Sequence, residues 1–235
     1  MRLQAEGWRG LVTYSLDGTL QAVPRLAKEV GFTMVIAGLF WFDDAQLARE
    51  RTAALGQLAS IDGFVLGNEG LTESRYTRQR LADEFARLKA ETGRPVTTSE
   101  TFAQYQNDPT LLAFGDWVFP NLQFWFDPAI RTPSQAVSVV QSQYQTLQTA
   151  APGRMVVVKE AWWPTAGEPA ATEANQTEFF RQLATTQVKF VFGEAYDQFW
   201  KREALGQGPH WGLHTDTGTP KQIIQALQSL YTGPY

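Results

Sequence analysis

Residues 156–165 read VVVKEAWWPT, and this stretch decides the fold. Three consecutive β-branched residues with no polar alternation predict a strand that is buried on both faces, as in parallel sheets. Pro164 ends that strand and leaves Glu160 at its carboxyl end, where α/β barrels keep their chemistry. A carboxylate beside Trp162 and Trp163 suits a sugar site, because the C–H faces of pyranose rings stack on indoles. A solvated loop glutamate is the alternative.

A second strand-end glutamate occurs in residues 64–70, which read FVLGNEG. The short apolar run again predicts a buried strand, and Asn68 and Glu69 follow it directly. Two strand-end carboxyls suit a retaining glycosidase, which uses one as acid/base and one as nucleophile about 5–5.5 Å apart. The spacing between Glu69 and Glu160 corresponds to about three βα units, so we expect their strands to face each other across a barrel.

The rest of the chain alternates between strand and helix patterns. This alternation predicts a parallel sheet with right-handed crossovers, and seven units that close on themselves predict an α/β fold of the TIM-type (β/α) barrel class. We expect one catalytic domain over residues 1–235, which is short beside the roughly 250 residues of an ordinary barrel. The predicted strands are 8–15, 32–42, 63–69, 96–101, 117–126, 155–160 and 188–195. The predicted helices are 20–30, 43–60, 73–92, 109–115, 132–150, 173–186 and 221–231.

Composition argues against several classes of function. The formal net charge is −4 and the basic residues do not cluster, so a nucleic-acid partner is not expected. Cysteine is absent and there are two histidines, so we expect no disulfide, no cysteine nucleophile and no metal site. No apolar run reaches the length of a membrane span, and the first residues, MRLQAEG, show no signal-peptide core.

Six stretches match the motifs of one known family in chain order. Residues 67–69, GNE, match its acid/base motif V-G-N-E, and residues 160–165, EAWWPT, match its nucleophile motif E-[ST]-G-W-P-[ST]. Residues 192–201, FGEAYDQFWK, match its final-strand motif F-E-A-F-D-E-x-W-K. Further matches are Thr13-Tyr14 to R-x-Y, residues 120–126 to N-I-H-P-Y-F, and residues 211–221 to W-G-L…P-K. The chain thus resembles glycoside hydrolase family 17, the β-1,3-glucanases and their transglycosylating relatives.

The sequence also departs from the family pattern. Residues 12–14 match the family's second strand, which implies a barrel shortened at its N-terminus, with about seven recognisable βα units. Either the barrel has seven strands or the N-terminal residues supply an eighth. An unpaired strand at the gap would be an exposed edge, which dimerisation could cover. Gln123, Phe124 and Trp125 replace the His, Pro and Tyr of the family's sixth strand.

The resemblance implies a retaining double displacement on β-1,3-glucan, with no metal and no organic cofactor. It makes Glu160 the nucleophile and Glu69 the acid/base, while Asn68 binds the sugar 2-OH. The plainer alternatives are a structural salt bridge at either glutamate and a turn role for Asn68.

Further side chains are candidates for holding the sugar. Tyr14, Glu194 and Lys201 are able to hydrogen-bond its hydroxyls. A buried Tyr14 with a main-chain partner and an ion pair between Glu194 and Lys201 are the alternatives. Four tryptophans are candidate stacking platforms, with core packing as the alternative for each: Trp41, Trp125, Trp163 and Trp200.

The sequence therefore predicts a retaining hydrolase whose partner is a β-glucan oligosaccharide or polysaccharide. A glucanosyltransferase would use the same residues with a glucan as acceptor, so the sequence does not choose between the two. A non-catalytic β-glucan-binding barrel is the alternative from another class, although pure binding does not require both glutamates. The resemblance implies a secreted or periplasmic protein.

Overall fold

The computed structural model describes residues 2–201 and 206–231. Its packing divides the chain into two compact units. The first unit comprises Met1–Asn121 and Gln148–Val157, and the second comprises Leu122–Leu147 and Val158–Tyr235. The expectation of one catalytic domain over residues 1–235 stays a prediction.

The first unit is built on a four-stranded parallel sheet in the order β1-β2-β3-β4. Its strands are β1 (Gly10–Val12), β2 (Met34–Leu39), β3 (Gly63–Asn68) and β4 (Val96–Ser99), and each lies within a stretch that its apolar run predicts. The helices of this unit are α1 (Arg2–Ala5), α2 (Val23–Glu29), α3 (Asp44–Leu55), α4 (Arg78–Thr92) and α5 (Phe102–Asn107), with 3₁₀ turns at Gly18–Ala22, Leu58–Ser60 and Pro109–Ala113.

Apolar side chains of the sheet pack against α3 and α4 to form the main core of the first unit. Burying each leucine or phenylalanine contributes about 1.5–3 kcal/mol, so this layer supplies much of the unit's stability. The side chain of Thr77 accepts a hydrogen bond from the Arg80 N–H at 3.2 Å and so begins α4. Core members from the strands and helices are Leu39, Phe64, Leu66, Leu47, Leu81 and Leu88.

The second unit is held by aromatic packing and helices. Phe124, Trp163 and Phe179 form a cluster with ring centroids 5.2–6.5 Å apart, in the range of favourable aromatic contacts. The remaining helices of the chain are α6 (Pro133–Ala150), α7 (Glu173–Ala184) and α8 (Gln222–Tyr231). None of the helices within residues 2–201 and 206–231 is long and apolar enough to span a membrane.

Single parallel bridges stand where the last three strands are predicted. Val118 bridges Val156 in the first unit, and Val158 bridges Phe190 in the second. The end of the predicted strand 117–126 is wrong, because a 3₁₀ turn occupies Phe124–Phe126. Pro120 has no N–H to extend a ladder, and the buried Phe124 ring joins the aromatic cluster instead.

Three helical predictions also need correction. The predicted helices 20–30, 43–60 and 109–115 overlap stretches that are 3₁₀ rather than α-helical, namely Gly18–Ala22, Leu58–Ser60 and Pro109–Ala113. The sequence pattern did not predict α5 (Phe102–Asn107). That helix has a clear local cause, since the Thr101 hydroxyl caps it by accepting from the Gln104 N–H at 3.2 Å.

Gly67 is required at the end of β3 for two reasons. Its φ is +75°, in the left-handed region that glycine adopts most readily. A Cβ at this position would also lie 1.9 Å from the Tyr76 hydroxyl oxygen. Tyr76 is buried there and stacks on Trp41 with ring centroids 4.2 Å apart. The close approach of Tyr76 to β3 therefore depends on the absence of a side chain at Gly67.

We expect Gly67→Ala to lower the free energy of unfolding by about 2–5 kcal/mol, as the sum of backbone strain and overpacking. The matched control is Gly153→Ala, since Gly153 has a φ of +77° but open space around its Cβ position. That control carries only the strain and should lose about 1–2 kcal/mol. Urea denaturation measures both, and equal losses would show that contact with Tyr76 does not matter.

Candidate active site

Glu69 follows directly after β3 in an unusual backbone conformation. Its φ is +55°, in a region that costs a residue other than glycine about 1–2 kcal/mol. The Glu69 N–H donates to the Ser99 carbonyl at 2.8 Å, and the Glu69 carbonyl accepts from the Glu73 N–H at 2.9 Å. Strain that is held in this way clusters at functional sites, which marks Glu69 as a candidate.

One amide contacts both members of the Asn68-Glu69 pair. The Asn121 Nδ2 donates to Oε1 of Glu69 at 2.7 Å and to Oδ1 of Asn68 at 3.1 Å. The Asn121 Oδ1 accepts from the Ser99 hydroxyl at 2.9 Å, and the whole side chain is fully buried. The Arg75 guanidinium donates to the Asn68 carbonyl and so holds the main chain of the pair as well.

A third strand-end glutamate, Glu100, holds the loop that follows Glu69. Its fully buried carboxylate accepts the N–H groups of Leu71 and Thr72 at 2.9 and 3.2 Å, and the Thr72 hydroxyl at 3.0 Å. Burial raises the pKa of Glu100, although these hydrogen bonds oppose the rise. The Glu100 carboxylate therefore holds the loop at Leu71 and Thr72, although burying a charged carboxylate costs free energy.

Glu160 lies in the second unit, two residues after the bridge between Val158 and Phe190. Its side chain is half-buried, and its main-chain carbonyl accepts from the Leu122 N–H at 2.8 Å. The ammonium group of the buried Lys159 lies 3.3 Å from Oε1. Lys159 and Glu160 therefore form an ion pair at this position.

Glu194 and Lys201 form an ion pair in the same unit. The Lys201 ammonium donates to Oε1 of Glu194, whose side chain is buried. Burial raises the pKa of Glu194, the Lys201 charge opposes the rise, and the negative charges of Glu160 and Asp197 add to it. The ion pair that was the alternative to sugar binding is therefore present, and a role in sugar binding stays a prediction.

The structure places three of the four candidate platforms in cores. Trp41 is buried against Tyr76, while the buried Trp125 and Trp163 pack edge-to-face with centroids 4.8 Å apart. These three rings pack in the core, which was the alternative to sugar stacking, because neighbouring side chains cover them. Trp200 differs, since 76% of it is exposed.

Tyr14, the remaining candidate, is half-buried and lies just after β1 in the first unit. Its neighbour Thr13 is fixed to β2, where the Thr13 hydroxyl accepts from the Gly38 N–H at 2.9 Å. A hydrogen bond from Tyr14 to a sugar stays a prediction.

Sequence reasoning assigned no role to Asn121 or Glu100. Asn121 stands inside the quoted motif 120–126, but its partners Asn68 and Glu69 lie more than fifty positions earlier in the chain. Glu100 ends residues 96–100, VTTSE, which repeat the pattern of an uncharged strand followed by glutamate. That repeated pattern is the sequence feature from which a role for Glu100 could have been predicted. Across the described part of the chain, no group of three or more histidine, aspartate and glutamate side chains is placed to hold a metal ion.

Comparison with known proteins relates the chain to glycosidases. A family model described as the BtgE/BtgC glycoside hydrolase domain matches residues 1–212. The probable beta-glucosidase btgE of Aspergillus clavatus is 25% identical over 226 residues, which covers 89% of this chain and 40% of that protein. The glucan 1,3-beta-glucosidase of Saccharomyces cerevisiae is 24% identical over 247 residues, which covers 88% of this chain and 76% of that protein. The chain thus spans about 40% of the length of btgE.

Solved structures confirm the fold class. The glycoside hydrolase family 17 β-1,3-glucanosyltransferase of Rhizomucor miehei superposes with a TM-score of 0.78 at 20% identity, over 93% of this chain and 86% of that enzyme. An active-site mutant of the same enzyme in complex with laminaritriose gives 0.77 at 20% identity, over 92% and 85%. Likeness at this level of identity establishes the fold, so the prediction of a TIM-type (β/α) barrel is confirmed.

The raised pKa of Glu100 predicts a pH-dependent contribution to stability. A carboxyl whose folded-state pKa exceeds its unfolded value, about 4.3, stabilises the fold at low pH and loses that contribution as the pH rises through the folded pKa. Glu100→Gln removes this titration. We therefore expect the wild-type advantage in unfolding free energy over Glu100→Gln to be largest near pH 4 and to shrink toward neutral pH.

Urea denaturation of both proteins at several pH values measures this difference. The control is Glu178→Gln, the same substitution at a glutamate that is exposed on α7. A wild-type advantage over Glu100→Gln that grows with pH would contradict the assigned direction of the pKa shift.

Proposed function

Because the chain belongs to glycoside hydrolase family 17, with a BtgE/BtgC glycoside hydrolase domain over residues 1–212, we propose that it is a retaining glycosidase of β-1,3-linked glucan. One observation carries the proposal. Glu69 stands at a strand end in a left-handed backbone conformation, with its carboxylate held by the fully buried Asn121. Holding a residue other than glycine in that conformation costs about 1–2 kcal/mol, which supports a specific role for Glu69.

The proposed reaction is a double displacement. Glu69 transfers a proton to the departing glycosidic oxygen while Glu160 attacks the anomeric carbon, so the glycosidic bond breaks as a glycosyl–Glu160 ester forms. Glu69, now ionised, then removes a proton from the incoming acceptor. The acceptor oxygen displaces the ester, which restores Glu160 as a carboxylate and Glu69 as an acid. The mechanism needs no metal ion or organic cofactor.

The surroundings of the two glutamates support these different roles. Glu160 has the Lys159 ammonium 3.3 Å away, and a neighbouring cation suits a nucleophile that must be ionised when the sugar binds. The amide of Asn121 donates a hydrogen bond to Glu69, and this amide stays neutral whether Glu69 is protonated or ionised. A neutral partner suits a group that must be protonated in one step and ionised in the next.

The substrate class rests on the relatives. The glucanosyltransferase mutant of R. miehei holds laminaritriose, a β-1,3-linked oligosaccharide, and a yeast relative is named as a glucan 1,3-beta-glucosidase. We extend that substrate class to this chain. Asn68, beside the proposed acid/base, binds the sugar 2-OH in this scheme. A secreted or periplasmic location and the oligomeric state stay predictions, the latter open to measurement by size-exclusion mass at several concentrations.

A glucanosyltransferase is the second candidate function. It is favoured by one observation, namely that a solved glucanosyltransferase superposes with a TM-score of 0.78. The same two glutamates would act, and only the acceptor would change from water to a second glucan chain. Product analysis on laminari-oligosaccharides separates the two functions, because hydrolysis yields only shorter sugars whereas transfer also yields longer ones. Binding without turnover would instead support the non-catalytic β-glucan-binding barrel.

Azide rescue tests the two catalytic roles individually. We expect Glu160→Gly and Glu69→Ala each to lose about three to six orders of magnitude in kcat on laminari-oligosaccharides. With an aryl β-laminaribioside, azide should enter the space left in Glu160→Gly and give the α-glycosyl azide after a single inversion. In Glu69→Ala, azide should intercept the glycosyl-enzyme and give the β-glycosyl azide. Proton NMR of the anomeric position distinguishes the two products.

The control for these variants is Glu178→Ala, an exposed glutamate on α7 that should keep wild-type activity. Exchanged azide products would reverse the two roles. Full activity in either glutamate variant would reject the proposed mechanism.

Trp200 is the remaining stacking candidate, and its role is open to a binding test. Trp200→Ala should weaken binding of laminari-oligosaccharides by roughly tenfold, since an aromatic contact contributes about 0.5–1.5 kcal/mol. Titration calorimetry with a catalytically inactive Glu160→Gly background measures this directly. Phe42→Ala is the control, because Phe42 is another exposed aromatic, 63% accessible, in the first unit. An equal loss in both variants would remove Trp200 from the proposed site.

A further inference from the structure

Asn121 joins two residues of the proposed site through a single side chain. Its Nδ2 contacts both Oε1 of Glu69 and Oδ1 of Asn68, at 2.7 and 3.1 Å. We propose that Asn121 is a positioning residue that fixes which oxygen of Glu69 handles the catalytic proton and which end of the Asn68 amide meets the sugar. This inference rests on the proposed function and goes beyond it.

The orientation of the Asn121 amide follows from its partners. Oδ1 accepts from the Ser99 hydroxyl at 2.9 Å, so the other end of the amide is the NH₂ group that contacts Glu69 and Asn68. A flipped amide would place its oxygen against two other oxygen acceptors. The repulsion would be strongest with Glu69 ionised, which makes the present orientation the stable one in both states of the reaction.

The main chain of Asn121 is as firmly held as its side chain. Its N–H donates to the Glu100 carbonyl at 2.9 Å, and its carbonyl accepts from the Phe102 N–H at 3.1 Å. The residue is fully buried, so water does not compete for these bonds. A donor fixed in this way directs the carboxylate that it contacts more strictly than a mobile surface side chain does.

The contact assigns the two oxygens of Glu69 to different tasks. Oε1 accepts the Asn121 hydrogen bond, so the proton that Glu69 donates resides on Oε2. The carbonyl form of Oε1 still accepts that bond when Glu69 is protonated, and the carboxylate accepts it more strongly. Asn121 thus holds the carboxyl plane in one orientation while the proton leaves and returns.

The same donor sets the orientation of Asn68. Because Oδ1 of Asn68 accepts from Asn121, the NH₂ group is the end of this amide that would donate toward a sugar hydroxyl oxygen. One buried amide therefore coordinates the acid/base with the residue proposed to bind the 2-OH. Loss of Asn121 should disturb proton transfer and sugar recognition together.

A 13C NMR titration tests the contact without relying on activity. Glutamate labelled at its carboxyl carbon reports each carboxyl, and Glu69→Gln assigns the Glu69 signal. A hydrogen bond to the charged form lowers a carboxyl pKa, so Asn121→Leu should raise the Glu69 titration midpoint by about one to two pH units. Asn121→Asp should raise it further, because a second carboxylate then replaces the donor.

Other charged groups near Glu69 must be followed in the same experiment. In the first unit these are Glu73 and Arg75 in the loop after β3, and Glu100 at the end of β4. The Glu100 signal serves as an internal reference, since its carboxylate accepts hydrogen bonds from Leu71 and Thr72. A shift confined to Glu69 is the expected result.

Leaving-group dependence supplies the kinetic test. An activated dinitrophenyl glycoside departs without a proton, whereas a sugar leaving group requires the acid. Asn121→Leu should therefore lower kcat/KM on laminari-oligosaccharides about 100-fold and on the dinitrophenyl laminaribioside only about 10-fold, since the activated substrate loses the Asn68 contact but does not need the acid. The alkaline limb of the kcat/KM profile should move to higher pH. Equal losses on both substrates would indicate mere structural damage and overturn the inference.

Two further variants keep the test decisive. Asn175→Ala removes a half-buried amide that donates to the Ala170 carbonyl at 2.9 Å, and it should change neither readout. If Asn121→Leu fails to fold, Ser99→Ala removes only the hydroxyl that orients Asn121 and should raise the Glu69 midpoint by a smaller amount. An unchanged midpoint in a folded Ser99→Ala would then overturn the inference.

The outcomes separate this inference from the proposed function. An active wild type whose Glu69 titration is unchanged by Asn121→Leu overturns the positioning role and leaves the glycosidase intact. A shifted Glu69 midpoint in a protein with no activity on any β-glucan or aryl glycoside rejects the glycosidase. In that case the contact between Asn121 and Glu69 is confirmed, but it has no catalytic role because the protein is not a glycosidase.

Discussion

The hydrogen bond from the Glu69 N–H to the Ser99 carbonyl is the constraint on which the first unit's candidate site depends. It continues the β3–β4 pairing past a register shift between Val65 and Asn68. Irregular pairing of this kind redirects side chains at the end of a strand. Here it brings Asn68 and Glu69 to the side chain of Asn121, which the Glu100 carbonyl holds in place. A regular ladder would continue the alternation of faces and would not place consecutive residues on one donor.

The carboxylates around Glu160 and those around Glu69 have different neighbours. In the second unit, lysines lie beside the acids: Lys159 beside Glu160, Lys201 beside Glu194, and Lys221 at 2.7 Å from Asp197. In the first unit, Glu69 accepts from the Asn121 amide, while Glu100 accepts from main-chain and hydroxyl groups and also lies in the field of the Arg75 charge. A lysine does not always decide the ionisation of its partner, since burial keeps the pKa of Glu194 raised in spite of Lys201. Under the proposed mechanism, the cation beside Glu160 suits a nucleophile, and the amide beside Glu69 suits an acid/base.

The sequence predicted the parts of the fold that local patterns control. The apolar run before Asn68-Glu69 located the end of β3, because side chains buried on both faces leave no polar alternation, while the run before Glu160 forms single bridges only. Residues 117–126 were harder, since a strand and an aromatic core segment have the same composition. Trp41, Trp125, Trp163 and Trp200 look alike in sequence, yet only the packing around each ring decides whether it is buried. The contact between Asn121 and Glu69 joins distant segments, so no local pattern could reveal it.

The exposure of Trp200 has a spectroscopic consequence. All eight tryptophans lie in the described part of the chain, and Trp200 is the one whose indole is largely open to solvent. A water-exposed indole emits at longer wavelength than buried ones and collides freely with dissolved iodide. The quenchable, red-edge part of the intrinsic fluorescence therefore belongs mainly to this single ring. The protein thus carries a built-in optical label at residue 200, and no chemical dye is needed to follow what covers it.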